Sequence, residues 1–84
     1  MSEYGYVEVL AEVAVERHRQ DAKLGEQNHL DFVWNAILGE EVGEVANAIL
    51  EGTFSDAPLA HVRDELVQVA AVAVAWVEAI DRRR

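Results

Sequence analysis

Two short stretches carry the residues best suited to chemistry, "GEEVGEVANAIL" (Gly39 to Leu50) and "HVRDELVQV" (His61 to Val69). The first sets Glu40, Glu41 and Glu44 within five positions, and the second pairs Glu65 with Gln68 three residues on. On a helix turning about 100° per residue, Glu41 falls between Ala48 at about −20° and Trp34 at about +20°, with Ile37 near −40° and Val45 near +40°. Glu41 is therefore central to an apolar stripe, Glu44 shares that face at about −60°, and Glu40 lies at its margin near −100°. Glu65 repeats the intrusion, flanked by Val72 near −20°, Trp76 near +20° and Val69 near +40°, while Gln68 takes Glu44's offset of about −60° and His61 lies near −40°.

An ionised carboxylate inside a packing face is costly unless something compensates it, and several together raise one another's pKa. A divalent cation answers both problems, and hard oxygen donors from two helices favour Mg²⁺, with Mn²⁺ as a substitute. The competing reading is that these acids bond to Arg17, Arg19, Lys23 or Arg63, or sit at the domain edge.

Three helices must position these groups. Helix 1 is predicted from Tyr4 to Leu24 with Gly25 as its terminator, carrying an apolar stripe through Tyr6, Val7, Leu10, Val13 and Ala14 and a polar ridge of Glu8, Glu12 and Glu16. "EQNHLD" is a connection in which Asn28 or Asp31 would cap helix 2, spanning about residues 32–51 and ending at Gly52. "GTFSDAP" is the second turn, with Ser55 or Asp56 capping helix 3 over about residues 57–81 and Pro58 harmless in its first turn. Valine-rich "VQVAAVAVAWV" competes as a strand, but its alternation fails at Ala70–Ala71 and no turn signal interrupts it. Its nearly all-apolar surface predicts contact on more than one side. Short loops predict antiparallel packing of consecutive helices. The expected fold is all-α, a single domain over residues 1–84 built as a three-helix antiparallel bundle and completed by dimerisation, with "DRRR" as a solvated tail.

Composition narrows the partners. The chain has 84 residues, no cysteine, 51% hydrophobic residues and a net charge of −9. Such a short chain makes only a modest core, disulfides are excluded, and the high apolar content favours a core shared between copies as a homodimer or dimer of dimers. The acidic balance argues against DNA or RNA polymers and anionic membranes, though a single nucleotide could be reached through a bound cation. The longest nearly apolar run, Leu66 to Val77, is too short for a membrane span, and the N-terminus has no signal-peptide pattern. A cytoplasmic location is expected.

Arg17, Arg19 and Lys23 form the only basic cluster besides the tail, read either as solvated or ion-paired residues or as phosphate contacts. Trp34 and Trp76 share the faces of Glu41 and Glu65; core or dimer packing is the first reading for both and stacking on a base the second. His18, His29 and His61 lack zinc spacing. His61 is a candidate proton relay, Asn28 and His29 are candidates to line a pocket, and Asn47 is a weaker one.

"EEVGEVANAI" followed by "RDELVQVAAVAVAWVEAIDRR" resembles the MazG-like, all-alpha nucleoside triphosphate pyrophosphohydrolase superfamily over roughly residues 34–83. The segment Glu16 to Asp31 is similar to the front of short actinobacterial and phage proteins grouped there. The family's Glu-x-x-Glu maps onto Glu41 and Glu44, and its Glu-x-x-Asp onto Glu65 with Gln68 in the aspartate's place. The resemblance implies Mg²⁺ held by Glu41, Glu44, Glu65 and Gln68, with Glu40 in support and Glu41 and Glu44 as catalytic groups. It also implies a nucleoside triphosphate substrate, for which Arg17, Arg19, Lys23 and Trp34 are the candidate contacts read above, and water attack at the α-phosphorus that yields a monophosphate and pyrophosphate.

Gln68 is a departure: it offers one neutral oxygen, with neither charge nor base strength. That departure, and the lack of a further helix in this sequence, favour the alternative of a catalytically weak or inactive helical dimer acting as an interaction or nucleotide-binding module. A free-standing coiled-coil adaptor is a third reading, weakened by the lack of sustained heptads.

Overall fold

The computed structural model describes residues 5–54 and 59–83. They form three helices, α1 (Gly5–Leu24), α2 (Asp31–Phe54) and α3 (Leu59–Arg82), and no strand. The helical reading of the valine-rich run holds because Ala70–Ala71 breaks any two-residue alternation and puts small side chains where neighbouring helices approach.

Gly25 ends α1 as expected. It adopts φ +74°, the left-handed region that costs a side chain dearly, and its N–H donates to the Asp21 carbonyl at 2.8 Å. Gly52 does not end α2, which continues to Phe54. Among the described residues Gly25 alone has a positive φ, so Gly52 stays in the helical region and makes no cap. The start of α2 also differs from expectation. The Leu30 carbonyl accepts from Val33 and Trp34 at 3.0 and 3.1 Å, which puts Leu30 in the capping position and Asp31 in the first turn. The expected caps Ser55 and Asp56, and Pro58, lie outside the described residues, as does Tyr4.

Helix α3 is the centre of the molecule. It packs against both α1 and α2, whereas the backbones of α1 and α2 make no close approach to each other. Antiparallel packing of consecutive helices therefore holds for α2 and α3 and not for α1 and α2. Glu12 meets Arg63 and Arg17 meets Glu78, so α1 runs parallel to α3; Asp31 meets Trp76 and Glu51 meets His61, so α2 runs antiparallel. The result is a slab of 45 × 32 × 21 Å, its thinnest dimension about two helix diameters.

The core is small. Trp34, Val72, Ala75 and Ala79 form its main cluster, with Ile37, Leu38 and Trp76 packed against it, and Val13, Ala48 and Ala71 are buried elsewhere. The alanines of α3 give two neighbours access to one helix, at the cost of burying little apolar area per residue.

The expected tail is exposed at Asp81, Arg82 and Arg83, with Arg84 outside the described residues, but its arginines are fastened to the start of α2 and the loop before it. Arg82 donates to the Asn28 side chain at 3.1 Å and to the Gln27 carbonyl at 2.9 Å, while Arg83 donates to both Asp31 carboxylate oxygens at 2.8 and 2.9 Å. Trp76 Nε1 completes the clasp by donating to Asp31 Oδ1 at 3.0 Å. Trp76 and Arg83 hold the Asp31 carboxyl below its ordinary 3.8, so its contribution is present above that value and lost as pH falls through the folded-state value. Asp31→Ala is expected to lower the melting temperature at neutral pH, the difference from wild type shrinking on acidification below pH 3.8; thermal melts followed by circular dichroism across that range measure it.

Candidate functional site

The groove between α1 and α2, floored by α3, gathers Arg19, Lys23, Trp34 and Glu41 of the singled-out residues. Glu41 is half-buried in a cavity of about 230 Å³ that is also lined by Arg19, Lys23, Trp34, Ile37 and Val72. Burial pushes its carboxyl above the ordinary 4.5, and the charges of Glu65, Glu44, Glu40 and Glu16 push it further. Every charge among those causes is negative, and among the described residues no hydrogen bond or ion pair reaches Glu41. Two of the basic residues that might have neutralised it, Arg63 and Arg19, are otherwise engaged. Arg63 forms a two-pronged pair with Glu12 at 2.7 and 2.8 Å, and Arg19 forms another with Glu16 at 2.6 and 2.8 Å.

The other acids sit around Glu41 in different settings. Glu44 and Glu40 are exposed on α2, while Glu65 is half-buried on α3 with its Oε1 3.6 Å from His61 Nε2. His61 Nδ1 is 3.4 Å from Glu51, so this histidine bridges α2 and α3. Gln68 is turned toward α1. Its Oε1 accepts from Gln20 Nε2 at 3.3 Å, and it hydrogen-bonds Glu16, whose carboxyl is held below 4.5 chiefly by Arg19.

No known family model, curated protein or solved structure matches this chain. The site therefore rests on its own geometry.

Arg17 is set apart from Arg19 and Lys23. Its side chain is 12% exposed and its donors go to Glu78 at 2.7 Å and to Gln20 and Asp21 at 3.0 Å, fastening α1 to the second half of α3. Its hydrogen bond to Glu78, above all, raises its pKa further above the ordinary guanidinium value. Trp34 is 2% exposed, so the packing reading holds and its ring is a wall of the cavity from within the core. Its Nε1 finds no hydrogen-bond partner among the described residues, nor does the buried His29 Nε2, and the two rings meet edge to face with centroids 4.8 Å apart. Asn28 and His29 do line a cavity, one of about 600 Å³ beside Glu26, Arg82 and Arg83, separate from that around Glu41. His18 and Asn47 are exposed.

Sequence reading missed Glu16 and Gln20, which carry α1 into the site. Glu16 reads from sequence as part of a polar ridge beside the apolar stripe, yet its side chain is only 12% exposed. The signal was its position four residues after Glu12 and three before Arg19, which puts a fixed ion pair on the face that meets α3.

Among the described residues no three His, Asp or Glu side chains are arranged to hold a metal ion. The donor chemistry nonetheless fits a hard divalent cation. Beyond the effect of burial, carboxylates from α2 and α3, with Glu16 of α1 nearby, raise Glu41 by repulsion, and all offer oxygen ligands. Closing on such an ion would require side-chain rotations of Glu41, Glu44 and Glu65. Gln68 would also have to give up its Gln20 bond to contribute its oxygen.

Proposed function

We propose that the α1–α2 groove is the site of a Mg²⁺-dependent nucleoside triphosphate pyrophosphohydrolase of the MazG-like kind, acting as a homodimer. The observation that carries the reading is Glu41: a half-buried carboxyl pushed upward by burial and then by four other carboxylates, in the same cavity as Arg19 and Lys23. Glu41, Glu44 and Glu65 would hold the ion, with Gln68 and Glu40 in support. Mg²⁺ would supply neutralisation of these carboxylates and of the phosphate oxygens of the substrate. Arg19 and Lys23 bring positive charge to the lining of the cavity, where a triphosphate would lie, and Trp34 and Ile37 give it apolar walls. Glu44, exposed beside Glu41, is free to orient a water and accept its proton. The products are a nucleoside monophosphate and pyrophosphate. A triphosphate substrate with Mg²⁺ implies a cytoplasmic setting, and among the described residues no helix is long and apolar enough to cross a membrane.

A second reading is favoured by Gln68. Its oxygen is taken by Gln20, and a neutral amide replaces the aspartate of the resembled motif. In that reading the groove binds a nucleotide without efficient turnover. A panel of nucleoside triphosphates assayed for pyrophosphate release with and without Mg²⁺ or Mn²⁺ separates them. The enzyme reading expects metal-dependent release from at least one substrate; no release from any, with binding retained in calorimetry, supports the second.

A further inference from the structure

Helix α3 buries one side and leaves an apolar stripe on the other. Measured from Glu65 at about 100° per residue, its buried residues Ala71, Val72, Ala75 and Ala79 lie between about −120° and −20°. Leu66, Ala70, Ala73 and Val77 lie opposite, between about 80° and 140°, spaced four, three and four residues apart, the rhythm of a helix–helix seam. Leu66 and Val77 are 52% and 56% exposed.

Helix α2 continues this surface. Val42 and Ile49 lie at about 100° and 80° from Glu41, both more than half exposed, and no charged residue shares their side between Phe32 and Leu50. Because α2 and α3 run antiparallel, equal rotations from their contact line fall on the same side of the slab. The carboxylates therefore occupy one side and the uncharged plate the other. Each helix is 24 residues long, or about 36 Å, and two side by side make a plate on the order of 700 Å², close to the roughly 800 Å² per partner of a stable interface.

The seam reads alike in both directions: large, small, small, large, about a midpoint between residues 71 and 72. An antiparallel two-fold crossing there puts Leu66 against the partner's Val77 and Ala70 against the partner's Ala73. Arg63, near 160°, is held by Glu12 of its own chain and stays at the edge of the seam. For a chain of net charge −9, an interface uncharged along its centre avoids the repulsion that other faces would bring.

We propose that the α2–α3 plate is the interface of a homodimer, with α3 packed antiparallel against the α3 of a second copy about a two-fold near residues 71–72. This rests on the self-association in the function above and not on its chemistry.

The chain has no cysteine, so single cysteines report the geometry cleanly. Wild type is expected to sediment as a dimer. Ala73→Cys, close to the two-fold, should be captured as a covalent dimer by a short bis-maleimide, and Leu59→Cys, far from it, should not. Leu66→Arg should sediment as a monomer, and any loss of folding in that variant leaves the cysteine result intact. A dimeric wild type whose Ala73→Cys variant is not captured overturns this face while sparing self-association. Equal capture of Leu59→Cys overturns the antiparallel pairing, and a monomeric wild type overturns the dimer itself. Pyrophosphate release, assayed on the same preparations, reports separately on the groove.

Discussion

Trp34→Ala is expected to leave the chain largely unfolded at physiological temperature. Trp34 is the one large side chain in the principal cluster, where its companions are Val72, Ala75 and Ala79, and it is 2% exposed. Truncating such a residue costs about 3–5 kcal/mol, because the transfer energy of the ring is lost and a cavity remains. A domain of this length has roughly 4–13 kcal/mol in total, and one whose buried positions are mostly alanine belongs in the lower part of that range. Far-UV circular dichroism against temperature or urea measures the loss. Trp34→Phe is the control: it keeps an aromatic ring and removes an N–H that has no partner among the described residues, so its cost should stay below about 2 kcal/mol. A Trp34→Ala protein that melts like wild type would falsify the central place given to this ring.

The all-α fold was legible because its signals are local. Gly25 needed only its own permissive backbone to end α1, and the failed alternation at Ala70–Ala71 ruled out a strand without any knowledge of neighbours. Glu41 and Glu65 were legible for the same reason, since a helical wheel is a local construction. What the sequence hid depends on which helices touch. Nothing in the connection from Gly25 to Leu30 says that α3 will lie between α1 and α2, so the role of Glu16 and Gln20 beside Gln68 could not be read from α1 alone. The same blindness made Arg17 look equivalent to Arg19 and Lys23. Its partner Glu78 lies sixty-one residues away, and only the parallel course of α1 and α3 brings them together. The terminal arginines looked solvated because their acceptors, Asn28 and the Gln27 carbonyl of the α1–α2 connection and Asp31 in the first turn of α2, meet the end of α3 only in the folded chain. Gly52 shows the converse limit. Glycine permits a left-handed residue without requiring one, and α2 runs through it to Phe54.

Glu41→Gln is expected to move stability and function in opposite directions. The carboxyl of Glu41 is raised first by burial and then by Glu65, Glu44, Glu40 and Glu16, so its ionised form opposes folding. The sign follows from linkage: the folded protein binds this proton more tightly than the unfolded chain, and stability falls as pH rises through the folded-state value, above 4.5. A neutral isostere removes that penalty. Without divalent cations the variant should melt above wild type at neutral pH, each 1 kcal/mol of relieved repulsion appearing as about 4–8 °C in a domain of this size. The gap should close on acidification, because a protonated Glu41 resembles glutamine. Mg²⁺ reverses the comparison. Wild type should gain melting temperature as the cation offsets the carboxylates, while the variant, lacking a charged donor at the centre of the set, should gain little and lose more than about 100-fold in pyrophosphate release. The two halves are separable. Matching pH profiles for the two proteins would mean that Glu41 is well solvated and that the repulsion does not exist. A stabilised variant with no Mg²⁺ response in wild type would keep the repulsion and leave the groove without its metal, which is the outcome expected of the nucleotide-binding module.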